Sequence, residues 1–210
     1  MRTILIGLAV STLAVAGVWA ADNAASAWPS WHAPAGNIKH GQQLAQTCLG
    51  CHGATATASS GLAVRPPRLH HQRESYLFFA IREYRGGIRK SDIMQPFVAG
   101  LSDQDMRDLA AYFSQDFPDR PPKPAADSPI YRTTSRECGF CHGETGIGEL
   151  EGMPVLAGQD PEYIIHALAS YRDGTRGDPT MRAEVKRIAP KDDDALARYY
   201  AQYGWLEHGQ

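Results

Sequence analysis

The chain has 210 residues, 43% of them hydrophobic and 21% charged, with a formal net charge of −2 at neutral pH. This length allows one large core or two small ones, and the nearly balanced charge gives no electrostatic case for binding nucleic acid. Beyond the first twenty residues, no segment is long and apolar enough to cross a membrane.

Arg2 precedes a charge-free apolar run from Ile4 to Val18, which ends in the small residues of VWAAD. The pattern predicts a secretory signal peptide over residues 1–20, cut after Ala20. An uncleaved membrane anchor is the competing reading, since Thr3 to Ala20 is almost long enough to span a bilayer, but no cationic flank follows the run. What remains holds 20 basic and 23 acidic side chains, unevenly spread: residues 34–120 carry a net +2 and residues 121–210 a net −4. Such a dipolar layout bears on docking rather than on folding.

All four cysteines fall in two copies of one pattern, CLGCHG from Cys48 and CGFCHG from Cys138. Between them FPDRPPKPAADSP places five prolines in thirteen residues, a stretch that cannot continue a helix and favours an extended path. It divides the chain into a domain over 34–117, a linker over 118–128 and a second domain over 129–210. The repeat extends past the cysteines. At an offset of 87, Pro67, Leu69, Gln72, Tyr76, Tyr84, Gly87, Arg89 and Met94 fall on Pro154, Leu156, Gln159, Tyr163, Tyr171, Gly174, Arg176 and Met181.

Each copy contains a helix with apolar residues at i, i+3, i+4 and i+7: Leu77, Ala80, Ile81 and Tyr84, then Ile164, Ala167, Leu168 and Tyr171. A closing helix follows in both. Ser102 and Asp105 form a capping box ahead of Met106, Leu109, Ala110 and Phe113. Pro190 and Asp192 to Asp194 put proline and negative charge at the start of the second, ahead of Leu196, Tyr199, Tyr200 and Tyr203. No alternating strand pattern is present, so the fold class is all-α in two small domains.

Three chemistries compete for paired cysteines. A zinc ribbon gives no reason for a histidine directly after each pair, and a thioredoxin-like dithiol needs a β-α-β context that is missing. Covalent haem attachment uses every residue: Cys48 and Cys51, and Cys138 and Cys141, form thioethers to the vinyl groups, while His52 and His142 bind the two irons. A domain of about 85 residues buries little apolar surface by itself, so a large cofactor supplies its core.

The sixth ligand is selected by the repeat. Met94 and Met181 coincide and lie in the loop between the two later helices, whereas Met106 aligns with Asp193 and sits in an apolar helical stripe. Met153 competes in the second domain but has no counterpart in the first, and His70 or His71 would give the first iron a bis-histidine set. A ligating imidazole usually gives its other N–H to a carbonyl, and the aligned Pro67 and Pro154 are placed to accept it. Arg89 and Arg176, with Tyr84 and Tyr171, face either haem propionates or the opposite domain.

Each half resembles a class I cytochrome c domain, and the pair resembles the dihaem cytochrome c4 family. The resemblance is carried by CLGCHG and CGFCHG, PRLHHQ and PVLAGQ, YRGGIR and YRDGTR, Met94 and Met181, and LSDQDMRDLAAYF. It implies two all-α domains around facing haems, in a periplasmic carrier of single electrons between a membrane complex and a terminal oxidase or other acceptor, with loose membrane association as a further option. The HHQ and IAPKDDD segments depart from the family's small-residue turn and LSD motif, which leaves subfamily and partner open. The layout also resembles cytochrome subunits of periplasmic dehydrogenases, including a flavocytochrome c sulfide dehydrogenase. An open iron would instead mark a haem-based catalyst such as a peroxidase. Carboxylates Glu144, Glu149 and Glu151 beside the second motif should stabilise its oxidised iron and give that haem the lower potential.

Overall fold

The computed structural model of the chain describes residues 35–53, 65–115 and 127–203. The expected signal peptide and most of the proline-rich linker lie outside these residues. The regular elements among the described residues are helices, and their only β feature is one isolated antiparallel bridge between Arg89 and Arg176.

The described residues of the first half hold four helices: α1 (Ile38–His52), α2 (Glu74–Arg85), the short α3 (Met94–Val98) and α4 (Asp103–Phe113). Asn37 caps α1 by accepting from the His40 N–H at 3.1 Å. The expected capping box of α4 is formed, with Ser102 and Asp105 satisfying each other's backbone N–H groups. Ala45, Leu77, Phe78, Met106, Leu109, Ala110 and Phe113 make the core. Met106 is fully buried in it, as its place in the apolar stripe required.

Helices α1 and α4 cross at Gly41. A Cβ there would sit 1.9 Å from the Asp108 carbonyl oxygen, so only glycine allows the approach. The crossing also buries the Asp108 side chain, which the apolar pattern of α4 did not explain. Burial alone would raise its pKa, but the Asn37 N–H at 2.7 Å, His40 at 2.7 Å and Gln104 at 2.7 Å hold it below the usual aspartate range.

The second half departs from the first at its opening helix. In place of one 15-residue helix it has α5 (Tyr131–Thr133), a π-helical turn (Thr134–Cys138) and α6 (Gly139–His142). At the motif offset of 90, Gly41 is replaced by Tyr131, whose bulk forbids the same close crossing. Tyr131 instead packs its ring 6.5 Å from that of Tyr199, and Thr134 turns its hydroxyl back onto the Tyr131 carbonyl at 2.8 Å, a bond that bends helices. The remaining elements match the repeat: α7 (Pro161–Asp173), α8 (Pro179–Glu184) and α9 (Asp193–Ala201), the last preceded by a 3₁₀ turn at Pro190–Asp192. Asp160 caps α7 with Pro161 in its first turn, and Gly174 ends it at φ 85°.

Met94 and Met181 are not in open loop as expected; each lies in a short helix. Met94 begins α3 with its N–H on Ser91 Oγ at 3.1 Å, and Met181 sits in α8 with its N–H on the Asp178 cap at 2.7 Å. Asp178 and Pro179 are an N-terminal helix signal that the reading of the loop passed over.

The two halves meet across a seam that obeys the repeat. Gln72 Nε2 donates to the Val155 carbonyl at 3.1 Å while its Oε1 accepts from the Val155 N–H at 2.7 Å. Gln159 does the same to Arg68, at 3.0 and 2.8 Å. Arg89 donates to the Tyr163 hydroxyl at 2.7 Å, and Arg176 to the Tyr76 hydroxyl at 3.1 Å. Each guanidinium also lies 4.4 Å above a ring of its own half, Tyr84 or Tyr171. Every one of these contacts maps onto its partner under the offset of 87, so the seam has a local two-fold. It joins Ala35–Gln210 into one compact unit.

Replacing Gly41 by alanine is expected to force α1 away from α4 and to lower stability by about 1–3 kcal/mol, the usual range for overpacking a close contact. Chemical unfolding of the haem-loaded protein checks this, and an unchanged midpoint would show that the crossing is not tight.

Candidate functional site

In the first half the chemistry sits on the last turn of α1. Cys48 and His52 are four residues apart and Cys51 three from Cys48, so thiols and imidazole share one side of the helix end. In the second half Cys138 closes the π-helical turn and α6 carries Cys141 and His142. The helix with its π-helical turn therefore still delivers the same set of groups.

Both imidazoles are buried, at 7% exposure for His52 and 4% for His142. Each has one ring nitrogen engaged by a proline carbonyl, as the sequence suggested: His52 Nδ1 lies 2.8 Å from Pro67 O and His142 Nδ1 3.0 Å from Pro154 O. A carbonyl can only accept, so Nδ1 carries the proton and Nε2 presents a lone pair. Burial pushes both imidazole pKa values down, most strongly opposing the cationic form. At His52 the nearby Arg89 acts in the same direction, while at His142 Asp178 acts against it. Both rings are thus neutral.

His142 Nε2 is buried and has no hydrogen-bond partner. Such an orphaned acceptor is rare in a folded interior and calls for a bonding partner that the polypeptide does not supply. An iron coordinated at that nitrogen fits. The four thiols are unpaired, so no disulfide competes for them. Burial raises the Cys48 thiol, with Cys51 adding to it, and pushes Cys138 up to about 11, so both remain neutral. Among the described residues no three His, Cys, Asp or Glu side chains gather to hold a metal ion, an arrangement unlike a zinc ribbon.

Met181 packs against the second core, and Met94 is half-buried. His70 is engaged elsewhere, its ring edge-on to Tyr112 at 5.7 Å and Phe113 at 5.1 Å. His71 has φ 60°, and the repeat-equivalent Gly158 has φ 65°. This accounts for the HHQ segment: the turn needs a left-handed residue, and histidine tolerates that conformation where the second half uses glycine.

Sequence reasoning left Arg89 and Arg176 a choice between propionates and the opposite half; their hydrogen bonds reach the opposite half. It gave no role to Tyr76, Tyr163, Gln72 or Gln159, although all four were visible as repeated positions. Their hydrogen-bonding side chains within turns and helix starts were the available signal. The arginines concentrate positive charge at the seam. Burial works against ionising Tyr163, but Arg89 and Arg176 outweigh it and bring the phenol down to about 8.

The Cytochrome c family model matches residues 38–115, the first half. A thiosulfate dehydrogenase electron acceptor from Stutzerimonas stutzeri is 34% identical over 181 residues, covering 79% of this chain and 83% of its own. Cytochrome c4 of Pseudomonas aeruginosa is 31% identical over 179 residues, covering 79% and 88%. The crystal structure of reduced recombinant cytochrome c4 from Pseudomonas stutzeri superposes with a TM-score of 0.65 at 29% identity, over 80% of this chain and 98% of that one. Two motif-bearing all-α halves, neutral buried imidazoles and similarity over 79–80% of the chain lead to one assignment. The chain belongs to the cytochrome c4 family: it is an electron carrier built of two tandem cytochrome c domains, holds covalently bound haem c at its two CxxCH motifs, and exchanges electrons with other redox proteins.

Proposed function

We propose that the protein is an exported, periplasmic shuttle in which His52 and His142 bind the irons through Nε2, and Met94 and Met181 complete the two coordination shells. The observation that carries this reading is the bare, buried Nε2 of His142 on a ring whose other nitrogen is tied to Pro154, with the Nδ1 bond repeated between His52 and Pro67. Bound haem supplies a reversible one-electron couple. The polypeptide supplies the rest: the cysteines tether each ring, the prolines orient each imidazole, and the cores exclude water. With His52, Met94, His142 and Met181 holding the irons, no place would remain for a substrate on the metal, and electron transfer would be outer-sphere.

The same reading divides the chain at 34–117 and 129–210, with the linker over 118–128 and an export signal over 1–20. Among the described residues no helix is long and apolar enough to cross a membrane. Membrane complexes and terminal oxidases are the partners proposed for the shuttle. A second reading, electron acceptor of a dehydrogenase, is favoured by the 34% identical relative from S. stutzeri and by a 31% identical one from Thiomonas intermedia, both named thiosulfate dehydrogenase electron acceptors. Stoichiometric co-purification with a dehydrogenase would select it over the free shuttle.

Separate replacement of Met94 and Met181 by alanine is expected to abolish the methionine-to-iron charge-transfer band of one haem at a time. Each change should lower that haem's potential by on the order of 0.1 V, within the ~0.8 V that axial ligation spans. Spectra identical to the parent would remove the replaced methionine from the ligand set.

The charge around the two imidazoles differs in sign. Arg89 acts on His52, whereas Asp178 acts on His142, and the second half carries the net negative charge. The second haem should therefore titrate at the lower potential. A redox titration resolved by haem, for example by NMR of the axial methionine methyls, checks the order; a higher value for the second haem contradicts it.

A further inference from the structure

The two-fold seam poses a problem of partner choice. An interface whose contacts are repeated on both sides would pair two first halves, or two second halves, as readily as one of each. Nothing in the glutamine clasps or the arginine–tyrosine crossings tells like from unlike, because those residues are the same in both halves.

The flanks of the seam do tell them apart. Arg73 and Asp160 occupy equivalent positions under the offset of 87, yet carry opposite charge. Arg73 pairs with Glu151 at 3.4 Å and also donates to the Gly148 carbonyl. Asp160 pairs with Arg65 at 3.6 Å, and Arg65 also reaches Glu162 at 3.2 Å. At the next equivalent pair, Ser75 accepts from the Gly152 N–H at 3.1 Å and donates to Glu151 at 3.2 Å, where Glu162 stands in the second half. Every cation in these cross-seam ion pairs belongs to the first half, and every anion to the second.

We infer that the seam is a sided interface: its symmetric centre supplies adhesion, and its charged flanks restrict the first half's face to a second-half face. Two first halves would set Arg73 against Arg65 of the other copy, and two second halves would set Asp160 against Glu151. The arrangement attracts in one combination and repels in the other two. Arg73 and Asp160 matter most, with only 11% and 14% of their side chains exposed, and each faces a partner of opposite charge in the other half, Glu151 or Arg65.

The test uses the intact haem-loaded protein with a protease site introduced within residues 116–126 and cleaved after purification. The two halves are expected to stay together as a 1:1 complex at micromolar concentration in size exclusion with light scattering. R73E should raise their dissociation constant at least tenfold, and E151R added to it should recover a large part of the loss. D160K tests the same rule from the other side, and the visible spectrum of each separated half reports whether it remains folded. Homodimers of either half forming on equal terms with the mixed complex, or equal dissociation of parent and R73E halves, would overturn the inference.

Discussion

The structure depends on one constraint, a buried imidazole with one nitrogen committed to a proline carbonyl and the other left bare. That arrangement is tolerable only if something bonds to the bare nitrogen, because a buried polar atom without a partner costs about 1–3 kcal/mol. The bare nitrogen is that of His142, while the proline contact recurs at the end of a helix in both halves, with the six-residue turns PRLHHQ and PVLAGQ delivering the carbonyl each time.

The same turns also build the seam. Pro67 holds His52, and the next residue, Arg68, is clasped by Gln159; Pro154 holds His142, and the next residue, Val155, is clasped by Gln72. The imidazoles of His52 and His142 are therefore one residue away, through a proline, from the hydrogen bonds that join the halves. The seam and the two sites are thus joined in one continuous hydrogen-bonded framework. The buried guanidinium groups of Arg89 and Arg176 stand at its centre, stacked on Tyr84 and Tyr171.

Much of this was legible before any coordinates. Cysteine, histidine and proline positions follow from a motif and a repeat, and so do the helical stripes, the Ser102 capping box and the burial of Met106. Three features were not. Periodicity records apolar residues, so it was silent on Asp108, which is buried because Asn37, His40 and Gln104 surround it. The π-helical turn in the second half's first helix goes with the loss of Gly41's counterpart, a consequence of a helix crossing that sequence spacing does not reveal. The helices around Met94 and Met181 are short, of five and six residues, below the length at which periodicity becomes informative. The Arg–Tyr crossings were half-legible: repetition marked the residues, while only the fold shows which half each one serves.

The most direct measurement is the intact mass of the purified protein together with its pyridine haemochrome spectrum. The account predicts two haems per chain that survive denaturation and acid-acetone extraction, one lost when Cys48 and Cys51 are replaced and the other when Cys138 and Cys141 are. A chain whose mass equals that of its amino acids alone, without porphyrin absorption, would contradict it.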